Sequence, residues 1–444
     1  MCVDSESIFC TMDFGPLIRS LFGPNVNPNL VEFLVDLISI ITVSTFCLLI
    51  VLFLIWLERK VIARMQDRIG PNRVGGNFGL AQTVADVGKL LTKEFVTPYG
   101  ADKAAYNIAP FLIVMTSLLM WAVMPFTANM VGVDLNIGLF YILSISSVSV
   151  VCILLAGWGS NNKYALLGAF RAVAQLVSYE VPMVISLLIP IILARSMSLN
   201  SIADAQVIPY LFVIPVSAII FYISALAETG RTPFDLLEAE SEIVAGFHVE
   251  YGGMKFGMFF LAEFISTLFM AALFATIYLG GYRVFVWEWI SLAVGGAGVT
   301  PALIGFIVFF IKMFAVYFVF IWIRATFPRV RIDQMLNFNW KFLVPLTLIL
   351  ILVTALVDGL FVGGDQTAGW HFWRIVAHLG FNLLVGSGAL IFARRNAATR
   401  GLFTDESGSG PTVAGALVEG ADPHGHHDDH GHGHDDHALA PAHD

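Results

Sequence analysis

The chain has 444 residues, of which 57% are hydrophobic and only 13% are charged, and its formal net charge is −9. Soluble globular domains are about 45–50% apolar and about 25% charged, so this composition excludes a soluble globular protein. The negative charge also argues against a nucleic-acid partner, because phosphate binding requires clustered Lys and Arg. The composition therefore indicates a membrane protein.

The first 30 residues lack a basic start and a continuous apolar core, and they contain three prolines, so they do not predict a cleavable secretory signal. A helix that crosses the hydrocarbon needs about 20 mostly apolar residues. Nine stretches meet this requirement: 31–57, 108–126, 135–157, 164–194, 207–227, 254–281, 301–323, 342–361 and 372–393. The sequence thus predicts an all-α polytopic membrane protein with about eight to nine transmembrane helices.

Lys and Arg accumulate in the cytoplasmic loops of membrane proteins. Eighteen of them fall on one predicted side of the bilayer, which carries the connections 58–107 and 324–341. Four fall on the other side, namely Arg19, Arg195, Arg283 and Arg374. This bias places residues 1–30 outside the cell and the C-terminus in the cytoplasm.

The C-terminal part of the chain divides in two. Residues 362–400 contain the ninth and weakest span, in which Arg374 and His378 occupy the first turns. Residues 401–444 hold eight of the eleven histidines, interleaved with Asp, and almost no large apolar residue. Such a segment cannot form a core, so a disordered cytoplasmic tail is predicted. Weak binding of divalent metal ions is the alternative role for its histidines.

The connection after the first span contains a helical pattern. Gly70-Pro71 and Gly75-Gly76 end the preceding helix, and the apolar residues between Leu80 and Leu91 then recur at helical spacing. A short amphipathic helix at the cytoplasmic interface is predicted. It serves either as an interfacial anchor or as the wall of a cavity that an amphiphilic molecule enters from the lipid, and periodicity does not separate these roles.

The segment 227–251 gathers carboxylates between two apolar spans: Glu228, Asp235, Glu238, Glu240, Glu242 and Glu250. The apolar residues between them favour a folded, partly buried loop over a solvated one. Glu180, Glu263 and Lys312 lie at membrane depth, where a charge costs at least about 2.5–3.5 kcal/mol. A buried structural ion pair is one explanation. A hydrated file of proton-exchanging acids, leading from a cytoplasmic pocket into the membrane, is the more economical one.

The connection 324–341 places three arginines, Arg324, Arg329 and Arg331, on the same predicted side as the acidic segment. They either anchor the chain to lipid headgroups or supply counter-charges to the acids. The sequence contains no phosphate-binding loop, no dinucleotide fingerprint, no pair of haem-type histidines in facing spans and no cysteine cluster. Electrons for any redox reaction are therefore expected to come from a partner.

Five motifs, in order, resemble one family. They are "ERKVIARMQDRIGPNRVG", "QTVADVGKLLTKE", "GWGSNNKYALLGAFRAVAQLVSYEVP", "ALAETGRTPFDLLEAESEIVAGFHVEYGGMKFGMFFLAE" and "WIRATFPRVRIDQMLNFNWKFLVPL". This series resembles the H-subunit family of the proton-pumping NADH–quinone oxidoreductases, respiratory complex I, over residues 31–361. The family core has eight helices, so the ninth span and the tail depart from its pattern.

The resemblance implies a subunit that builds the membrane half of a quinone chamber and an acidic proton path, in a bacterial inner membrane. It implies quinone contacts by Arg59, Arg68, Asp86 and Phe260. The implied proton path comprises Glu180, Glu228, Asp235, Glu238, Glu240, Glu242, Glu250 and Glu263, with Arg231 as a cationic neighbour. Lys312, at membrane depth, is assigned to the same path.

The expected substrate is a quinone, with ubiquinone as the expected form, and no tightly bound cofactor or metal is expected in this chain. Iron–sulfur and flavin groups are expected in partner subunits, beside antiporter-like membrane subunits. Two alternatives remain: the homologous membrane subunit of a hydrogenase or other-donor oxidoreductase, and a self-contained ion transporter. The sequence shows no internal inverted repeat, which argues against the transporter.

Overall fold

The computed structural model describes residues 28–76, 78–128, 130–235, 246–285, 302–361 and 368–399. Within these ranges every regular element is helical, and eight helices are long and apolar enough to span a membrane. This confirms the all-α polytopic membrane fold. The predicted tail, 401–444, lies outside the described residues, as do residues 1–27 of the predicted N-terminal segment.

The α-helices in chain order are α1 (Pro28–Met65), α2 (Gln82–Thr92), α3 (Lys103–Leu119), α4 (Gly138–Gly159), α5 (Lys163–Ala194), α6 (Leu199–Asp204), α7 (Tyr210–Val213), α8 (Pro215–Glu228), α9 (Gly253–Leu279), α10 (Ala302–Thr326), α11 (Ile332–Phe338), α12 (Val344–Leu360) and α13 (Ala368–Thr399). A π-helical segment, Asn339–Leu343, joins α11 to α12 without a break. The predicted amphipathic helix corresponds to α2.

The predicted fifth span, 207–227, is not one continuous helix. The chain forms α7, turns at Ile214 in a non-helical conformation, and restarts at Pro215. Proline has no N–H to continue the preceding helix, and it suits the first position of a new one. At about 1.5 Å per residue the 14 residues of α8 cover roughly 21 Å, less than the bilayer core of about 30 Å. Hydropathy detected the apolar run but not this interruption.

Helix α5 continues through two prolines, and other helices satisfy the carbonyls that the prolines leave free. Pro182 cannot donate to the carbonyl of Ser178, which instead accepts from Asn339 Nδ2 at 2.6 Å. Pro190 likewise frees the carbonyl of Ser186, which accepts from the Ser217 and Tyr278 hydroxyls, each at 3.1 Å. Without water in the bilayer core such carbonyls need protein donors. The prolines thus tie α5 to its neighbours.

The chain divides into two compact units, Met1–Ser387 and Gly388–Asp444, and α13 crosses the boundary. Of the second unit, the structure describes residues 388–399, which are the last turns of α13. In the first unit Arg374 Nε donates to Asp358 Oδ1 at 2.8 Å, and the Asn382 side chain accepts from the Val216 N–H at 2.9 Å. The predicted ninth span is therefore a helix bonded to α12 and α8.

Candidate functional site

The end of α8 is a glycine-terminated turn that orients two predicted site residues. Gly230 has a φ of 62°. Its N–H bonds to the carbonyl of Ala227 at 3.2 Å, and the Arg231 N–H bonds to the carbonyl of Leu226 at 3.3 Å. This pair of bonds is the Schellman termination, which needs a left-handed residue and favours Gly. The short sequence Glu228-Thr-Gly-Arg231 therefore stops the helix after Glu228 and turns Arg231 back into the bundle.

Arg231 lies in a buried cluster of charges. Its Nη1 donates to both carboxylate oxygens of Glu58, at 2.9 and 3.1 Å, and its Nε lies 3.0 Å from Glu263 Oε1. Arg324 donates to the same Glu58 carboxylate, and the Tyr317 hydroxyl lies 3.5 Å from it. The Arg231 and Glu58 side chains are only 4% and 7% exposed. Two arginines and two glutamates thus compensate one another where α1, α8, α9 and α10 meet.

A partly enclosed cavity lies beside this cluster. Glu228, Glu263 and His248 form part of its polar wall and Phe260 part of its apolar wall, with a water-accessible space of about 90 Å³. A buried water needs roughly 10–15 Å³ of such space and two to four polar partners. The cavity is therefore large enough for several waters. Glu228 and Glu263 face a shared internal space.

Glu228 on α8 and Glu180 on α5 are two further members of the predicted acid group. Glu228 Oε2 is inaccessible to solvent and has no hydrogen-bond partner among the described residues. Glu180 on α5 accepts from the Ser147 hydroxyl of α4 at 3.3 Å. The Glu228 carboxyl is thus buried with one oxygen unbonded among the described residues, and the Glu180 carboxyl is bonded to α4.

Two further acids have partners of their own. Asp235 Oδ2 lies 3.0 Å from Arg329 Nη2, and Glu250 Oε1 accepts from Asn162 Nδ2 at 2.7 Å. The contacts of Arg324 with Glu58 and of Arg329 with Asp235 favour a counter-charge role for the arginines of the 324–341 connection. The predicted relay acids Glu238, Glu240 and Glu242 lie outside the described residues.

His248 forms part of the cavity wall in the short helical turn Gly246–His248, and sequence reasoning did not assign it a role. Its ring lies between those of Phe247 and Phe256, with centroids 5.0 and 5.2 Å away. Burial lowers the pKa of His248 to about 4, because the apolar surroundings disfavour the charged imidazolium. The side chain is therefore neutral at physiological pH.

Three predicted quinone contacts meet at a second, open cleft between α1 and α2. Arg59 and Arg68 line it together with Gln82, and its water-accessible space is about 500 Å³. Arg59 Nη1 lies 2.5 Å from Asp86 Oδ2, and Gln82 donates to the same carboxylate at 3.1 Å. Small-molecule sites occupy about 300–1,000 Å³, so this cleft has the size of a ligand site. Phe260, the fourth predicted contact, lies at the acid cavity instead.

Helix α2 forms one wall of this cleft and also presents apolar side chains outward. Val84 and Leu91 are 60% and 59% exposed, while Gln82 and Asp86 face Arg59. The helix therefore has the features of both predicted roles, an interfacial anchor and a cavity wall.

Lys312 is not brought together with the predicted proton path. Its Nζ donates to the carbonyls of Leu279, Gly281 and Arg283 at 2.8, 2.9 and 2.7 Å. These carbonyls lie at the last residue of α9 and just after it, whereas Glu263 lies about 16 residues earlier, roughly 24 Å along the helix. A cation at a helix C-terminus satisfies carbonyls that have no intrahelical partner. These three hydrogen bonds of Lys312 are those of a helix cap.

Sequence reasoning missed Glu58, the acid at the centre of the charge cluster. It precedes Arg59 and Lys60, so charge counting treated this position as a basic helix end. A signal was available: Glu58 directly follows an apolar run that ends at Leu57, where an uncompensated carboxylate would be costly. The sequence did not indicate that its partners would be Arg231 and Arg324. Among the described residues no group of three or more His, Cys, Asp or Glu could hold a metal ion.

Comparison with known proteins identifies the family. The NADH dehydrogenase family model matches residues 38–355. The H subunit of the NADH-quinone oxidoreductase of Dehalococcoides mccartyi strain CBDB1 is 46% identical over 319 residues, 72% of this chain and 86% of that protein. The H subunit of the enzyme of the same name from Geobacillus kaustophilus strain HTA426 is 49% identical over 305 residues, 68% of this chain and 88% of its own length.

The matched region contains the charge cluster, the acid cavity and the open cleft. It also contains the helices that carry these three features, and it ends before α13. The described residues include eight helices that are long and apolar enough to span a membrane. Together with this extent of identity, they show that the chain belongs to the H-subunit family of NADH–quinone oxidoreductase, as a membrane component of an oxidoreductase complex.

Proposed function

We propose that this chain forms the membrane half of the quinone chamber of an NADH–quinone oxidoreductase and an acidic path that couples quinone reduction to proton translocation. The observation that carries the proposal is the shared cavity of Glu228 and Glu263, with Arg231 bonded at its edge. Quinone reduction consumes two electrons and two protons. The electrons come from partner subunits, and this chain supplies the surroundings for the quinone and for the protons.

The open cleft is the proposed entrance to the quinone chamber. Arg59 and Arg68 provide cationic donors on one wall, and Asp86 orients Arg59. A quinone headgroup carries carbonyl oxygens that accept such hydrogen bonds, and its tail suits the exposed apolar side chains of α2. The acid cavity, at about 90 Å³ of water-accessible space, suits water better than a quinone ring. Phe260, in the wall of the acid cavity, is therefore proposed to shield the acids.

The proton path is proposed to run along Glu228, Glu263 and Glu180, with the remaining acids of 227–251 at its entrance. Negative charge that develops on a reduced quinone favours protonation of nearby carboxyls in a dry pocket. Waters in the cavity would connect Glu228 with Glu263, and the charge cluster at Glu58 would hold Arg231 beside Glu263. Lys312 is left out of this path because of its contacts at the end of α9.

The proposed setting is the bacterial inner membrane. The N-terminus would lie outside, and the end of the helix bundle that carries the charge cluster around Glu58 would face the cytoplasm. Iron–sulfur subunits would cover that end, and antiporter-like membrane subunits would receive the protons. Ubiquinone is the proposed form of the substrate. The names of the relatives favour this complex over a hydrogenase or other-donor complex, and no feature of the described residues favours a self-contained transporter.

The test measures quinone reduction and proton translocation by the assembled complex that carries Glu180→Gln, Glu228→Gln or Glu263→Gln. Each variant keeps the side-chain shape and removes the exchangeable carboxyl proton. We expect at least a roughly tenfold loss of quinone-coupled proton translocation, with assembly retained. The matched control is Glu94→Gln, because Glu94 is exposed. Normal translocation in all three variants would contradict the proposal.

A further inference from the structure

Gln175 on α5 is a fully buried side chain that bonds to the bend carrying Glu228 and Arg231. Its Nε2 donates to the carbonyl of Ala227 and to the carbonyl of Phe234, both at 2.7 Å, and the residue is 0% exposed. Ala227 precedes the bend and Phe234 follows it. One amide group therefore holds both ends of the bend from a different helix.

The orientation of this amide follows from its partners. A flipped side chain would place Oε1 against two carbonyl oxygens, which offer no proton, so only the NH₂ group can face them. Oε1 then points away from the bend and has no hydrogen-bond partner among the described residues. Buried polar atoms without a partner are rare in folded proteins. Gln175 thus donates two hydrogen bonds to the bend while its own acceptor oxygen has no partner among the described residues.

The bend can form without Gln175. The Schellman termination at Gly230 closes the end of α8 by its own backbone bonds. The ring of Phe234 also packs against Tyr179 of α5, with centroids 5.3 Å apart. Gln175 adds two short hydrogen bonds at points where the chain already turns. Its contribution is to fix where the turn sits relative to α5, which also carries Glu180.

We propose that Gln175 is a positioning residue of the proton path, one that holds the carboxyl of Glu228 and the guanidinium of Arg231 in register with Glu263. This inference rests on the proposed function. Gln175 is not among the residues that line the acid cavity or the open cleft. It acts through the bend, so its loss changes the distances between the acids and leaves the quinone cleft intact.

Gln206 provides a matched control within the same chain. It is also 0% exposed, and its Nε2 donates to the carbonyls of Thr276 and Ile277 at 3.1 and 2.9 Å. These carbonyls lie near the C-terminal end of α9, far along the helix from Glu263. Both glutamines are fully buried and donate to backbone carbonyls, and Gln206 Oε1 also accepts from the Tyr210 N–H at 3.3 Å. A loss of activity that is merely structural would therefore be at least as large at Gln206 as at Gln175.

The experiment compares Gln175→Met with Gln206→Met in the complex assembled with its partner subunits. Met keeps the length of the side chain and removes both donors. For Gln175→Met we expect quinone-reductase kcat and protons translocated per NADH to fall at least about fivefold. KM for quinone should stay within about twofold, because the cleft is unchanged. Gln206→Met should keep kcat, the protons translocated per NADH and the KM for quinone within about twofold of the values of the unmodified complex.

Gln175→His is the second variant, because one ring N–H can still donate to a carbonyl. We expect it to recover part of the kcat that Met loses. Equal kcat in Gln175→Met and Gln206→Met would overturn the inference, and so would failure of both Gln175 variants to assemble. If Glu180→Gln, Glu228→Gln and Glu263→Gln all translocate protons normally, the proposed function itself fails. If they are impaired while Gln175→Met is not, only the role of Gln175 fails.

Discussion

Arg231 Nη1 donates to both carboxylate oxygens of Glu58, at 2.9 and 3.1 Å, across 173 residues of chain. The contact joins the bend after α8 to the inner part of α1. Glu58 also accepts from Arg324 of α10. Three helices therefore meet at one carboxylate, and the guanidinium that faces Glu263 is held in place by an acid on another helix.

Glu58→Gln is expected to destabilise the assembled complex. Removing one partner of a buried ion pair costs about 3–5 kcal/mol, because the remaining charge is left uncompensated. Here Arg231 would be affected together with Arg324. The midpoint of thermal inactivation measures the effect, and Glu94→Gln, at an exposed position, is expected to change stability by about 0.5 kcal/mol or less. Equal midpoints for the two variants would show that the pair does not support the fold.

Arg68→Gln is expected to weaken quinone binding. Arg68 lines the open cleft, and the substitution removes its charge while leaving the acid cavity unchanged. We expect KM for quinone to rise at least about threefold with kcat within about twofold, as for a group that contributes equally to ground-state and transition-state binding. Steady-state kinetics of the complex measure both. Arg64→Gln is the control, because Arg64 is an exposed arginine at the end of α1 that does not line the cleft; an equal rise in KM there would exclude a specific role for Arg68.

His248 is expected to make the protein sensitive to acid. Its pKa is lowered from 6.5 to about 4 by burial, so the unfolded chain binds the proton first as the pH falls. Stability is therefore complete above about pH 6.5 and is lost between about pH 6.5 and 4, by roughly 3 kcal/mol at most. His248→Gln should reduce this loss. Thermal inactivation at about pH 7.5 and about pH 5 measures it, and an unchanged pH dependence in the variant would assign the acid sensitivity to another group.

Asp358→Asn is expected to loosen the attachment of α13. Asp358 is 6% exposed, accepts from Arg374 at 2.8 Å and lies 3.4 Å from Arg195. Loss of its charge leaves Arg374 poorly compensated, and a cost of about 2–3 kcal/mol is expected. Protease sensitivity of the chain after residue 361 measures the loosening. Asp67→Asn, at an exposed position, is the control, and equal sensitivity would contradict the attachment.

Deletion of residues 407–444 is expected to leave quinone turnover nearly unchanged. The His/Asp-rich segment lies beyond the part of the chain that matches the family, which ends at residue 355. Turnover of the truncated complex, compared with the full chain at equal amounts of assembled complex, tests this. A large loss of activity would show that the segment takes part in the reaction.

The sequence predicted most of the helices but only part of the relationships within the site. Apolar runs predicted the long spans because a bilayer imposes a length and a composition on each helix separately. The prediction of one continuous helix over 207–227 was wrong at Pro215, because a hydropathy window averages over the residue that breaks the helix. The acids Glu180 and Glu263 could be recognised from the sequence because they lie within apolar spans. The sequence did not indicate that Arg59 and Phe260 would line two separate spaces, the open cleft and the acid cavity.

The sequence by itself determined that this chain is a helical membrane protein of one family, because hydrophobicity, helix periodicity and contiguous motifs are local properties. Only the tertiary structure decided which carboxylates share a cavity, which have an arginine and which cation caps a helix. Those outcomes depend on contacts between distant segments, such as Glu58 with Arg231 and Gln175 with Phe234. Packing of the helices fixes such contacts, and no local pattern encodes them.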